Sequence, residues 1–190
     1  MVRGDALGML PIEMRLHGRG GQGTVTLAAL IVDAAVAAGW YALGFPSFGT
    51  ERTGAPVAAF VRLDRRPIQD RSQVAAPHVI VVQDATLLGA VPVFEGAHED
   101  AVVLINASRL GDEAPEGVLV VPATELAVNH LGKPITNTAM LGAVAAATRL
   151  FDLDDVAAAI EHRFAGAVAE ANVAVARAAF ERTTDRRAVA

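Results

Sequence analysis

A strand-like segment, Ile12 to His17, runs into Gly18-Arg19-Gly20-Gly21-Gln22-Gly23 and then into a helix-like segment, Thr24 to Ala38. This junction constrains the fold more than any other stretch, because glycine stands where a strand must turn sharply into a helix. Residues without a Cβ reach positive φ at no steric cost and let the backbone come close to another molecule. Gly18, Gly20 and Gly23 fit the G-x-G-x-x-G spacing. Its glycines permit a tight turn, approach of a phosphate to main-chain N–H groups, and close packing of helix on strand. The spacing alone selects no ligand.

The rest of the chain alternates strand and helix signals. Gly39 reads as the C-terminal cap of the first helix and Trp40 to Phe45 as the second strand, broken by Pro46-Ser47-Phe48-Gly49. Val57 to Leu63 is a third strand, and Asp64-Arg65-Arg66-Pro67 is a turn able to fold the chain back as a hairpin, which makes the sheet mixed. His78 to Gln83 and Ala101 to Ile105 are nearly continuous aliphatic runs ending in Asp84 and Asn106, the pattern of strands buried on both faces. Val118 to Val121 is a shorter one. Helices are expected over Thr124 to Asn129, Thr138 to Leu150 with Thr136 or Asn137 as cap, Asp154 to Phe164, and Val168 to Arg182. In the third of these, Val156, Ile160 and Phe164 repeat at four-residue spacing and form an apolar face. The expected fold class is therefore α/β: a three-layer Rossmann-like domain with a mostly parallel, mixed sheet. One such unit spans 1–190, with 1–11 and 184–190 as flexible or extended tails.

Composition removes several function classes. The chain is 53% hydrophobic, yet Asp33, Arg149 and Arg177 interrupt its longest apolar runs, so no membrane span is expected. The surplus of apolar surface suits an interface with other subunits. A net charge of −5, without a basic stripe, predicts no nucleic-acid partner. There is no cysteine, so the chain can neither hold an iron–sulfur cluster by thiolates nor use a thiol nucleophile. Met1 to Leu10 lacks the basic start and apolar run of a secretory signal, which makes the cytoplasm the expected location.

The glycine loop is read against its surroundings. A NAD site needs an acid at the end of the second strand, about 20 residues past the glycines, and Trp40 to Ser47 has none. A P-loop is excluded, since no Gly-Lys-Ser/Thr follows. Arg19 leaves an anion site open, and so does the alternative that the loop only turns tightly and packs on a neighbouring chain. The segment Phe45 to Pro56 mixes two aromatics, two prolines, two glycines, Ser47 and the pair Glu51-Arg52 between two strands. Arg52 can grip a carboxylate or phosphate with its planar fork, or Glu51 and Arg52 can form a solvated pair. Asp84 and Asn106 either line a crevice with the glycine loop at the strand ends or cap the turns that follow. The histidines at 17, 78, 98, 130 and 162 have no metal-ligand spacing, and Ser47 and Ser108 lack a neighbouring base. No complete catalytic set is present.

Taken together, these segments carry a family resemblance. Gly18 to Gly23, Phe45-Pro46-Ser47-Phe48-Gly49, Gly54-Ala55-Pro56, Phe60-Val61-Arg62, Pro67-Ile68, Val81-Val82-Gln83-Asp84 and Asn137 to Ala143 resemble, in order and spacing, the gamma subunit of 2-oxoacid:ferredoxin or other acceptor oxidoreductases. The resemblance implies a subunit of a complex that oxidatively decarboxylates a 2-oxoacid to an acyl-CoA. It implies companion alpha, beta and delta-type subunits, which carry thiamine diphosphate with Mg2+ and iron–sulfur clusters, coenzyme A as co-substrate, and ferredoxin or another electron acceptor. None of these cofactors is expected on this chain alone. Gly18, Arg19, Gly20, Gly21, Gln22, Gly23, Ser47, Phe48, Gly49, Glu51 and Arg52 are then the residues expected to line the active centre or meet a cofactor. The family commonly reads Pro-Glu-Arg-Arg-Gly-Ala-Pro where this chain has Thr50 to Pro56, so a proline and one arginine are missing. The competing readings are a stand-alone nucleotide-binding α/β module, the equivalent subunit of an indolepyruvate oxidoreductase, and a purely structural assembly protein.

Overall fold

The computed structural model describes residues 10–47, 53–109 and 117–189, with side chains as far as 185. The candidate residues Phe48, Gly49, Glu51 and Arg52 lie outside the described residues. Six strands form one mixed sheet: β1 (Ile12–Arg19), β2 (Tyr41–Pro46), β3 (Pro56–Asp64), β4 (Val79–Val82), β5 (Val102–Asn106) and β6 (Leu119–Val121). They lie in the order β2-β3-β1-β4-β5-β6.

Side-chain alternation places β1 between two layers. Ile12, Met14 and Leu16 are buried against the helices, while Glu13, Arg15 and His17 turn to the other face. All of β4 is buried, Val79 and Val81 on the helical side and Ile80 and Val82 on the opposite side, as the aliphatic run predicts. That opposite side is covered by a 3-10 turn, Ala85–Leu87, and the irregular chain after it, which packs Leu87 and Val93 on Ile80, Val82 and Ile105.

β4, β5 and β6 are parallel to β1, while β3 is antiparallel to both its neighbours, β1 and β2. The sheet is mixed for a different reason than expected. β3 closes a hairpin with β2 before it, from Tyr41↔Asp64 to Pro46↔Ala59, and not with the chain after Asp64. Both edges of β3 are already occupied, so the turn at Asp64, whose carboxylate accepts from the N–H groups of Arg65 and Arg66, directs the chain off the sheet.

The helices are α1 (Thr24–Ala37), α2 (Ala123–Leu131), α3 (Asn137–Thr148), α4 (Leu153–Arg163) and α5 (Gly166–Val189). Gly39, at φ 84°, ends α1 in a Schellman motif: Gly39 N–H donates to Val36 O and Trp40 N–H to Ala35 O, at 3.0 and 2.9 Å. Every residue of α3 is buried, and α5 crosses it where Gly142 leaves no room for a Cβ beside the Ala176 carbonyl. α4 starts with a capping box between Asp152 and Asp155 and buries Val156, Ala159 and Ile160. α5 corrects the expected tail: it stays helical to Val189, Thr183 is 3% exposed, and the Thr183 and Thr184 hydroxyls bond back to Ala179 O and Phe180 O. Among the described residues no helix is long and apolar enough to cross a membrane.

Candidate functional site

The glycine loop continues the β1–β3 ladder before leaving it. Beyond the last strand pair, Arg19↔Pro56, Gly20 N–H donates to Ala55 O at 2.8 Å and Gly54 N–H to Gly20 O at 3.0 Å. The loop and the distal arm of the Phe45 to Pro56 segment are thus one unit. Gly21 and Gly23 take φ of 93° and 77°, the left-handed region that favours glycine. Gly23 is the N-cap of α1 and supplies no side chain, and the first turn holds no acid. The leading N–H groups of α1 therefore have no side-chain acceptor, and the positive end of its dipole points into the loop.

Side chains fix the loop's shape. Gln22 folds back on it, its Oε1 accepting from Arg19 N–H at 2.7 Å and its Nε2 donating to Asp84 Oδ2 at 2.8 Å. Arg19 Nε lies 3.2 Å from the same carboxylate oxygen. Its Nη2 donates to Thr86 Oγ1 at 2.8 Å and its Nη1 to Gly54 O at 3.1 Å. Asp84 Oδ1 accepts from Thr86 N–H and from the Thr86 hydroxyl, at 3.0 and 2.6 Å. Burial pushes the Asp84 carboxyl up, but the hydrogen bonds from Thr86 and Gln22 and the charge of Arg19 outweigh it and hold it below the ordinary carboxylate range. Asp84 thus both caps the turn and meets the glycine loop. Asn106 only caps: its Oδ1 accepts from Thr124 N–H at 3.1 Å, and its Nδ2 donates to Gln83 O and Thr124 Oγ1, both at 2.9 Å.

Sequence reading missed the other support, Gln83. This side chain is 2% exposed at the end of β4, and its Nε2 donates to Asn137 Oδ1 at 3.0 Å and Thr136 Oγ1 at 3.4 Å. Thr136 is the N-cap residue of α3 without a side-chain cap bond, so the expected capping pair serves Gln83 instead. A Cβ on Gly23 would lie 2.6 Å from Asn137 Nδ2, so the start of α3 backs the last loop residue. Among the described residues, the buried Gln83 Oε1 and Thr24 Oγ1 have no hydrogen-bond partner. The available signal was a lone amide closing an aliphatic run.

Of the other expected residues only Ser47 is among the described ones, and it stands apart from the loop. Ser47 pairs with Ala58 through its N–H at 2.9 Å and accepts from Gln73 Nε2 at 3.4 Å, with β3 between it and the glycine loop. β3 also separates β2 from β1, by about 10 Å at ordinary strand spacing, which removes the second-strand tip from the place where a dinucleotide's ribose partner stands. His17 is lowered to about 4, first by burial and then by the Arg15 charge, and is neutral at pH 7. His78 stacks on His98 with centroids 4.1 Å apart and accepts from Glu13 N–H through Nδ1. Among the described residues no group of three His, Asp or Glu side chains is arranged to hold a metal ion.

A family profile described as pyruvate ferredoxin/flavodoxin oxidoreductase matches residues 13–182. The chain is 46% identical over 179 residues to the pyruvate/ketoisovalerate oxidoreductases common subunit gamma of Pyrococcus abyssi, covering 90% of this chain and 97% of the relative. It is 44% identical over 171 residues to pyruvate synthase subunit PorC of Methanothermobacter marburgensis, again covering 90% and 97%. The crystal structure of pyruvate oxidoreductase subunit PORC from Thermotoga maritima matches with a TM-score of 0.78 and 35% identity, over 90% of this chain and 96% of that one. The 2-oxoglutarate:ferredoxin oxidoreductase of Magnetococcus marinus, solved with 2-oxoglutarate, coenzyme A and succinyl-CoA bound, shares the fold at a TM-score of 0.67 and 17% identity. There 94% of this chain matches 31% of a longer one. With a matched region that runs from β1 into α5 and relatives of nearly equal length, the chain belongs to the pyruvate ferredoxin/flavodoxin oxidoreductase family and is a subunit of a 2-oxoacid oxidoreductase.

Proposed function

We propose that this chain is the gamma subunit of a cytoplasmic, thiamine diphosphate-dependent complex that converts a 2-oxoacid and coenzyme A to acyl-CoA and CO2. In that reaction the C1–C2 bond of the acid breaks, C1 leaves as CO2, and C2 joins the coenzyme A sulfur as the thiol S–H bond breaks and releases its proton to solvent. Two electrons pass to ferredoxin or another acceptor. The names of the archaeal relatives point to pyruvate and ketoisovalerate as the first acids to try. Thiamine diphosphate supplies the electron sink for decarboxylation when bound, and alpha, beta and delta-type companions hold it, with Mg2+ and the iron–sulfur clusters. The lack of cysteine in this chain supports that division.

The observation that carries the proposal is the near-full-length identity to gamma subunits, together with a glycine loop whose charge is met from within. Arg19 is engaged by Asp84, Thr86 and Gly54, so the loop offers backbone N–H groups and close approach in preference to a free cation. These fit a diphosphate or a neighbouring subunit's surface. Gly18, Arg19, Gly20, Gly21, Gln22 and Gly23 form the proposed contact, and Ser47, Phe48, Gly49, Glu51 and Arg52 are proposed from their sequence motif to contribute to the same active centre. Val25, Val36 and Tyr41, exposed on α1 and the β2 edge, give companion subunits an apolar surface.

The test is to purify the chain with its native partners and record iron–sulfur absorbance while adding pyruvate or ketoisovalerate with coenzyme A. Bleaching that needs both substrates is the expected result. Turnover by this chain alone contradicts the proposal. Saturable NAD binding that Gly21→Trp abolishes would favour the stand-alone nucleotide module.

A further inference from the structure

Two consecutive residues at the end of β4 reach the glycine loop from opposite sides. Asp84 takes it from outside, through Gln22 Nε2 and Arg19 Nε, at 2.8 and 3.2 Å. Gln83 takes it from inside, through Asn137, whose amide abuts the Cα of Gly23. Both stand just past Val82, the last residue of β4, with Gln83 buried and Asp84 partly exposed, so the chain leaving the strand meets both sides of the loop. Neither grip is a ligand contact as it stands: Gln83 is 2% exposed, and Asp84 is occupied by three side chains of this chain.

We propose that Asp84 and Gln83 are positioning residues for the oxidoreductase reaction, holding Gly20 to Gly23 in the one shape that meets the partner or its cofactor. Arg19 shares that role. Its guanidinium lies on Asp84 and joins the loop to Gly54, so it acts as a brace between the two candidate loops, and an anion at this point would have to displace a carboxylate already hydrogen-bonded in place. The positive φ of Gly21 and Gly23 leaves the loop little intrinsic preference for this shape, because glycine is equally at ease elsewhere. External bracing supplies it. This role rests on the proposed function above, whereas the bracing itself does not.

The experiment uses the assembled complex with Asp84→Ala, Asp84→Asn and Gln83→Met in this subunit. Hydrogen exchange is followed on the peptide covering residues 18–24 and, as control, on β1 residues 12–17, beside kcat and KM for the oxoacid and for coenzyme A. Removing a charge-assisted pair is expected to speed exchange of the loop about tenfold while β1 stays protected, and to lower kcat/KM by about the same factor with subunit stoichiometry unchanged. Asp84→Asn keeps an acceptor on one side only and loses the charge, so it is expected to fall between Asp84→Ala and the wild type in both readouts. Gln83→Met, which keeps volume and loses the amide, is expected to loosen the loop from the other side. Wild-type exchange in Asp84→Ala overturns the proposal, and so does a fall in rate with no change in exchange. If Asp84→Ala fails to assemble, Gln83→Met decides by the same two readouts, faster loop exchange with a lower kcat/KM supporting the proposal and wild-type exchange overturning it. A wild-type complex that oxidises no 2-oxoacid counts against the proposed function and leaves the exchange result to judge the bracing.

Discussion

Single residues at the end of β1 carry more constraint than their chemistry suggests. Gly23 sits at φ 77° with Asn137 behind it, so Gly23→Ala pays for a left-handed non-glycine residue and for a displaced amide. The expected loss is about 1–3 kcal/mol, read as a lower urea midpoint, and an unchanged midpoint would refute the strained turn. His17 gives a pH signature. Its unfolded pKa lies near 6.5 and its folded value at about 4, so between these the unfolded state binds more protons. Stability from this group is whole above about pH 6.5 and is lost as the pH falls toward 4. Urea midpoints at pH 7 and pH 4.5 should differ less in His17→Gln than in the wild type. Of these two residues, Gly23 was legible as a turn glycine, whereas the depressed His17 was not, because the Arg15 charge and the burial that shift it depend on Val93 and Glu95 folding over the sheet.

Elements whose pattern is local could be read directly, and those decided by neighbours could not. The strand over Ile12 to His17, the buried run of β4 and the Val156/Ile160 face of α4 follow from sequence alone. The hairpin expected after Asp64 failed because the vacancy of a strand edge depends on the whole sheet, and β1 and β2 had taken both edges of β3. The end of α5 was missed because Arg182 to Arg187 is a polar run, yet Thr183 is buried and its hydroxyl satisfies the helix backbone. Gly142→Ala tests the α3–α5 crossing. The new methyl meets the Ala176 backbone, which cannot rotate away, so a loss of about 1–3 kcal/mol and a Tm lower by several degrees are expected. Asp152→Ala should cost about 1 kcal/mol through the lost capping box, and a Tm equal to wild type would show that α4 does not need it.

Across the whole molecule, the family was legible because its motifs lie in order along the chain, while the geometry that gives the glycine loop its meaning is assembled from distant parts. Glycine spacing alone fits a dinucleotide fingerprint without selecting that ligand. The sheet order answers differently, with β3 inserted beside β1 and the loop joined to Gly54, Asp84 and, through Gln83, Asn137. Arg62, 3% exposed and tied to Glu13, Asp70 and Ser72, likewise holds the chain after β3 against the sheet, so the hairpin bearing the second candidate loop has a fixed base. In the proposed function this chain works only as one part of a larger oxidoreductase. The most direct test is to titrate this purified chain into companion subunits prepared without it and follow pyruvate- or ketoisovalerate-dependent ferredoxin reduction with coenzyme A present. No activity in either fraction alone is expected, with a rise that saturates at one fixed ratio of this chain to its companions. Full activity of the companions without it, or turnover by this chain alone, would contradict the proposed function.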